Sequence, residues 1–394
     1  MRFLIIRPVQ GWAVRRPALI LALFALVVLL AAACRQQPNV PESNGGVGMH
    51  RANPARTGVY QTNGPTEYES IKWQFEADDW AFGAPAIANG TVYFTSYDGR
   101  VYAADTETGA EKWRFDTGAT IIASPAVSDG LVYIANMAGS LLALDAESGQ
   151  ERWRVETETG QSGSPAVVDG VVYFGGESGL LVALDAGSGE ERWRFQIPNT
   201  VIAFSTAVAD GLVFVPVSNG ELHVLDAATG EERWKYDPNI SDNIFSPTAD
   251  PVVHDGVVYF MVSDINLTGV LFAIDLNTHQ LRWEHKTSTE NFSAPAILDD
   301  ILVWGSLEGI LYGVSAADGN VLWTFPTEDI IFSAPAIAGN TVYFGSYDKN
   351  LYAVDYRTGK LLWQFRAESG VSSPAVDNGI VYVGTVDGAF YAIQ

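Results

Sequence analysis

Tryptophan recurs along this chain at an almost fixed interval. Trp73, Trp113, Trp153, Trp193, Trp234, Trp283, Trp323 and Trp363 are separated by 40, 40, 40, 41, 49, 40 and 40 residues. The residues before them recur too. "AADTETGAEKW" ends at Trp113, "ALDAESGQERW" at Trp153 and "AVDYRTGKLLW" at Trp363, with four further variants between. Self-similarity at this period marks a repeat architecture, in which each unit buries its apolar faces only against its neighbours.

Each unit holds four short runs rich in β-branched and aromatic residues. In the second unit they are "SPAVSDG", "LVYIAN", "LLALD" and "QERWRVE", and runs of this kind bounded by Gly, Asp and Asn read as strands. Between the first and second runs stand Asn89-Gly90, Asp129-Gly130, Asp169-Gly170, Asp210-Gly211, Asp255-Gly256 and Asn378-Gly379. Such pairs supply the positive φ angles of a two-residue hairpin. The second runs, such as "TVYFTS" and "VVYFGG", are apolar at nearly every residue, which requires burial on both faces.

Four antiparallel strands per unit, covered on both sides, make a propeller blade. Seven units are complete, and the eighth, "VSSPAVDNGIVYVGTVDGAFYAIQ", stops at Gln394 before its fourth strand. The missing strand is available in "ESIKWQFEA" around Trp73. The expected fold is all-β, an eight-bladed propeller over residues 68–394, its ring closed by pairing the N- and C-terminal segments so that no sheet edge is left open at the seam. The 49-residue interval places an insertion in the fifth unit. One tryptophan per blade, large and amphipathic, is suited to wedge between blades with its N–H satisfied. The Asp of the repeat suits an Asx-turn. A calcium loop is excluded, because each unit offers one or two oxygens where calcium takes six to eight.

The formal net charge is −23, which argues against phosphate-backbone binding and hence against a nucleic-acid partner. Four of the basic residues, Arg2, Arg7, Arg15 and Arg16, precede the apolar run "ALILALFALVVLLAAA". A basic start, an apolar core and small residues at the end make residues 1–33 an export signal. Without those arginines, 19 basic residues face 46 acidic ones, a net of −27. The run meets Cys34, the only cysteine, in a lipobox-like "LAAAC" that makes Cys34 the candidate lipidation site. An uncleaved membrane anchor is the alternative. Residues 34–67 hold this cysteine, a Pro- and Gly-containing tether and the lead-in "HRANPARTGVY". Either reading places the propeller outside the cytoplasm, where a fold without disulfides relies on a large core.

The repeat Ala-x-Asp-x-x-Thr/Ser-Gly-x-x-x-Trp resembles the tryptophan-docking motif of pyrroloquinoline quinone (PQQ)-like β-propellers, and the lead-in is similar to segments preceding such propellers in bacterial surface proteins. The resemblance implies one of two functions. Quinoprotein alcohol dehydrogenases of this family hold PQQ and calcium at the ring centre, commonly beside a disulfide between adjacent cysteines. This chain has no cysteine pair and offers no convincing calcium set. The family also includes lipid-anchored, non-enzymatic propellers of about this length that scaffold outer-membrane assembly. The expectation is therefore a protein-binding scaffold without cofactor or metal, its partners in the cell envelope, with outer-membrane assembly machinery among them. A small PQQ-dependent dehydrogenase and a glycan- or ligand-binding surface module remain as alternatives.

No catalytic set emerges. His50, His223, His254, His279 and His285 are scattered without metal-ligand spacing, and no nucleophile elbow or phosphate loop stands in a strand-to-helix context. Loops joining one blade to the next gather on one face, and here they are aromatic: "DDWAFGAP", "DNIFSP", "ENFSAP" and "DIIFSAP". Phe82, Phe292 and Phe332 sit three residues before the strand-opening proline, Ile122 and Val371 fill the same slot, and Phe245 is aligned there across the insertion. A ring of such residues either plugs the axial channel or forms an apolar patch rimmed by Asp78, Asp79, Glu290, Glu328 and Asp329. Trp80, outside the repeat register, is the candidate hot spot of that face.

Overall fold

A computed structural model describes residues 48–157, 160, 163–238, 246–263 and 268–394. All of these lie in the second of the chain's two compact units, Gly45–Gln394. The export signal, Cys34 and Phe245 fall outside the described residues.

The second blade shows how sequence becomes structure. Ala126–Ser128, Leu131–Ala135, Ser140–Asp145 and Glu151–Glu156 pair antiparallel in chain order. Its third strand is buried at five of six positions, because neighbouring blades cover both of its faces. Its outermost strand alternates between exposed and more sheltered residues, as a half-covered strand must. At the first hairpin Asp129 and Gly130 take φ of 50° and 77°, and the other five Asn-Gly and Asp-Gly pairs named above are also positive at both residues. These mirror-image turns match the right-handed twist of the flanking strands. The repeat's Asp caps the third-to-fourth strand turn. Asp145 Oδ1 accepts bonds from Ser148 N and Ser148 Oγ at 2.8 Å each.

Eight such sheets form among the described residues. The eighth consists of Ala375–Asp377, Ile380–Gly384, Ala389–Ile393 and, as its outermost strand, Ile71–Glu76. The pairing of Ile71 with Ile393 and of Glu76 with Ala389 closes the ring as the truncated last repeat requires. In the fifth blade the central strands lengthen to Val257–Ser263 and Gly269–Asp275, and Ser246–Pro247 adds to their edge.

The tryptophans join the blades. In the seven other than Trp234, the indole N–H donates to a backbone carbonyl of the next blade or, for Trp363, to Pro65 O, at 2.8 to 3.1 Å. A β-bulge beside each tryptophan shifts the register, as between Ala143 and Leu144, and sets the ring facing its neighbour. In six of the joints the glycine of the neighbouring turn then lies flat on the indole. A Cβ on Gly149 would stand 2.6 Å from Trp113 Cδ2, and φ there is +71°. The fifth blade varies the joint: His279 occupies that glycine's place at φ 57°, and its imidazole stacks on Trp234 with centroids 4.5 Å apart.

The lead-in is built into the ring. Gly48–Met49 adds to Ala126–Ser128 of the second blade, and Val59–Tyr60 runs parallel to Ala336–Ala338 of the seventh. Between them, the carbonyls of Pro54, Ala55, Thr57 and Gly58 accept bonds from Val208, Val253, Ile297 and Ile337. Those four amides hold the same position in the innermost strands of blades four to seven. The segment thus satisfies inner edges that would face an open channel.

The two kinds of turn glycine should respond differently to a methyl group. Gly130→Ala meets no atom within 4 Å, so it should cost only the left-handed backbone strain, about 1–2 kcal/mol. Gly149→Ala must also displace Trp113, and the sum should reach about 2–5 kcal/mol. Denaturant midpoints of the two variants measure the difference.

Candidate functional site at the axial mouth

Each blade turns its second-to-third strand hairpin and its entry loop towards the same face. A backbone bond ties the two together: Tyr97 N to Trp80 O at 2.9 Å, Met137 N to Thr120 O at 2.9 Å and Tyr347 N to Ile330 O at 3.0 Å. Held this way, equivalent loop residues converge on the ring axis and surround a cavity of about 400 Å³.

Its walls are aromatic. Phe82, Phe292 and Phe332 line it as their shared slot implies, with Ile122, Phe204 and Tyr97. Phe292 and Phe332 lie 5.5 Å apart, Phe332 and Tyr347 5.4 Å. Trp80 stands outside the cavity, 41% exposed, with its indole 5.2 Å from the Tyr97 ring, while Phe82 meets the edge of that ring at 6.4 Å. The structure thus gathers three of the five candidates into one wall and places Trp80 on the rim beside them. Tyr97, Tyr347 and Phe204 complete the surface. The two tyrosines carry a faint signal, a "SYD" hairpin present in both the first and seventh units. Phe204 lies one residue past the recurring slot.

The lower wall is formed by the residue immediately before the strand-opening position of each blade. It is small in seven blades, as at Ser124, Ser164 and Ser205, and charged in one, Asp250. Four of these and one lead-in residue form a closed cycle of hydrogen bonds. Ser124 N donates to Ser164 Oγ at 3.0 Å, Ser164 N to Ser205 Oγ at 2.9 Å and Ser205 N to Asp250 Oδ1 at 2.8 Å. Asp250 Oδ2 lies 2.9 Å from His50 Nε2, and His50 Nδ1 3.0 Å from Ser124 Oγ. A neutral imidazole protonated on Nε2 satisfies the whole cycle, since Ser124 O–H donates to the free Nδ1.

Arg56 and Arg51 anchor the floor and are buried. The Arg56 guanidinium donates to Thr206 O at 2.8 Å, Ser164 O at 2.9 Å and His50 O at 3.4 Å, and Arg51 Nη2 donates to Pro295 O. Burial alone pushes the Asp250 carboxyl up, yet the bond from His50 and the Arg56 and Arg51 charges hold it well below the usual carboxylate range. Burial also lowers the His50 pKa, against the pull of Asp250, and keeps the ring neutral near pH 7.

This donor set does not fit a calcium ion. Both Asp250 oxygens are committed to His50 and Ser205, and among the described residues no group of three or more His, Cys, Asp or Glu side chains stands close enough to hold a metal. What the arrangement offers is an aromatic cup over a hydroxyl-lined floor, with acidic loops around it.

A family model described as outer membrane protein assembly factor BamB matches residues 69–193, 137–302 and 307–394. No curated protein matches in sequence. Among solved structures, BamB from Moraxella catarrhalis is similar at 20% identity and a TM-score of 0.67, over 82% of this chain and 97% of that one. A quinohemoprotein alcohol dehydrogenase from Comamonas testosteroni is similar at 15% identity and a TM-score of 0.76, over 90% and 81%. The computationally designed Ika8 protein gives 21% and 0.72, over 83% and 100%. At such identities the structural likeness speaks for the fold alone, and one ring serves a membrane-assembly factor, an oxidoreductase and a design.

The His50 cycle makes stability depend on pH in a definite sense. A histidine whose pKa falls on folding takes its proton more readily when unfolded. Its contribution is complete above the ordinary value of 6.5 and is lost as pH falls from there towards the depressed folded value. Asp250 acts in the same sense below its ordinary 3.8. Thermal unfolding followed from about pH 7 to about pH 5 should show a falling midpoint, and His50→Gln should flatten that slope.

Proposed function

The chain belongs to the family described as outer membrane protein assembly factor BamB, and from that membership we propose that it is a non-enzymatic scaffold of the cell envelope. In this reading the protein is exported, held at the membrane by a lipid on Cys34, and grips a protein partner of outer-membrane assembly with the axial mouth.

The observation that carries the reading is the exposed Trp80, packed at a tilt of 34° against Tyr97 beside the aromatic cup. Large amphipathic rings left in solvent next to a preformed apolar cavity are the composition of a binding hot spot. Asp78, Asp79, Glu328 and Asp329 stand exposed around it. The two cations that flank Trp80 in sequence are already paired, Lys72 with Glu107 and Arg100 with Asp78. A partner segment that matches this face presents an apolar or aromatic side chain flanked by lysine or arginine.

Crosslinking and affinity capture of the tagged full-length protein from its native membranes tests the reading. Recovery of an outer-membrane β-barrel or its assembly machinery is expected. Trp80→Ala should weaken that capture by about 2 kcal/mol, roughly thirtyfold, while leaving the unfolding midpoint unchanged. Phe332→Ala should weaken it as well. Capture indifferent to both variants removes the mouth from the reading. A spectral change on titration with PQQ and calcium would turn it towards an oxidoreductase, and specific retention on a glycan array towards a sugar-binding module.

A further inference from the structure

Eight copies of one structural position provide an internal control, and on the outer circumference the copies disagree. The outermost strands of blades one to four open with Glu111-Lys112, Glu151-Arg152, Glu191-Arg192 and Glu232-Arg233. The second residue of each pair occupies the bulge and bonds the Asp of its own blade's turn, Arg152 to Asp145 at 2.6 Å and Arg192 to Asp185 at 2.8 Å. In blades five to seven the same positions carry Leu281, Val321-Leu322 and Leu361-Leu362, each 42% to 52% exposed. Folding does not require these leucines, because the charged pairs fill equally exposed positions in the sibling blades.

The strands are also open edges. Val321–Pro326 and Leu361–Arg366 pair only with the strand inside them among the described residues, and Val321–Pro326 contains no charged residue. Edges of this kind are ordinarily guarded by charge, and the ring guards its first four. An apolar stripe across consecutive blades is the mark of a covered surface.

The charge around the stripe indicates what covers it. Residues 287–326, the sixth unit, carry five acids and no lysine or arginine, whereas residues 327–366, the seventh, carry four acids and four bases. In a chain of net charge −23, the seventh unit alone is balanced. We propose that the stripe on blades six and seven is the contact of a homodimer whose two-fold axis runs parallel to the ring axis. That operator sets blade six of each copy on blade seven of the other. It keeps every residue at its own height. Lys360 at the base then meets Asp300 and Asp318 of the second copy, beside the Arg357–Asp299 pair that each chain already makes across its own blades six and seven. Both mouths face the same way and stay free.

The test uses the full-length protein in detergent and measures its mass by sedimentation equilibrium. Two copies per particle are expected. The double variant L322R/L362R restores the residue type that blades two to five carry at this bulge, so the ring should fold with an unchanged unfolding midpoint. Self-association should weaken by about tenfold or more, since like charges then face each other. A single copy for the wild type at the highest soluble concentration overturns the proposal, as does a dimer that survives L322R/L362R. Two differently tagged chains, one with Leu322→Cys and one with Leu362→Cys, should crosslink to each other in preference to themselves, the wild-type chain supplying the Cys34 background. A preference for like pairs overturns the stated axis.

Discussion

Everything in this ring rests on one joint. An indole lies against the next blade's turn, its N–H on a backbone carbonyl and its face on a glycine that has no side chain to interfere. The joint replaces two costs with two gains: a buried donor is satisfied, and a large apolar face is removed from water. Because the β-bulge fixes the direction of the ring, the same joint sets the angle between blades, and repetition of one angle closes the circle. Trp234 shows its tolerance. Where histidine stands in the glycine's place, the imidazole lies nearly parallel to the indole, at 18°, so contact is kept by stacking.

Most of this was legible in the amino-acid order, because periodic features announce themselves. Tryptophan spacing, paired positive-φ turns and the truncated last repeat led to blade, count and seam without a coordinate. Phe82, Phe292 and Phe332 were legible for the same reason, as occupants of one recurring slot. What stayed hidden is what breaks the period. Asp250 is the one charged residue at a position that is small in the other seven blades, visible only once the copies are superposed on a ring. His50 and Arg56 precede the first repeat, and nothing local to them says that they reach the axis. Tyr97 needed the third dimension, since it is seventeen residues from the indole it supports. Phe245 was assigned to the recurring slot across the insertion and lies outside the described residues.

Departure from the repeat is therefore where the chemistry lies. The repeating positions carry the architecture and are nearly interchangeable between blades. The cup, the hydrogen-bonded floor and the leucine stripe each arise from substitutions in a few copies. Two surfaces result, one along the axis and one on the circumference, and they differ in kind. The first is concave, aromatic and ringed by acid. The second is an apolar stripe on two open edges, between a purely acidic unit and a balanced one.

The lead-in has one more consequence. Arrays of repeats in which each unit touches only its neighbours lose structure piecemeal, because removing one interface leaves the rest intact. Here a single short segment bonds the innermost strands of blades two, four, five, six and seven and carries two buried guanidiniums, which donate to carbonyls of blades three, four and six. Loosening any of those blades exposes unpaired groups on a strand shared with the others. The segment couples distant units that have no other contact, and so turns a modular array into a cooperative whole, in which partial states are penalised and the ring holds or fails as one.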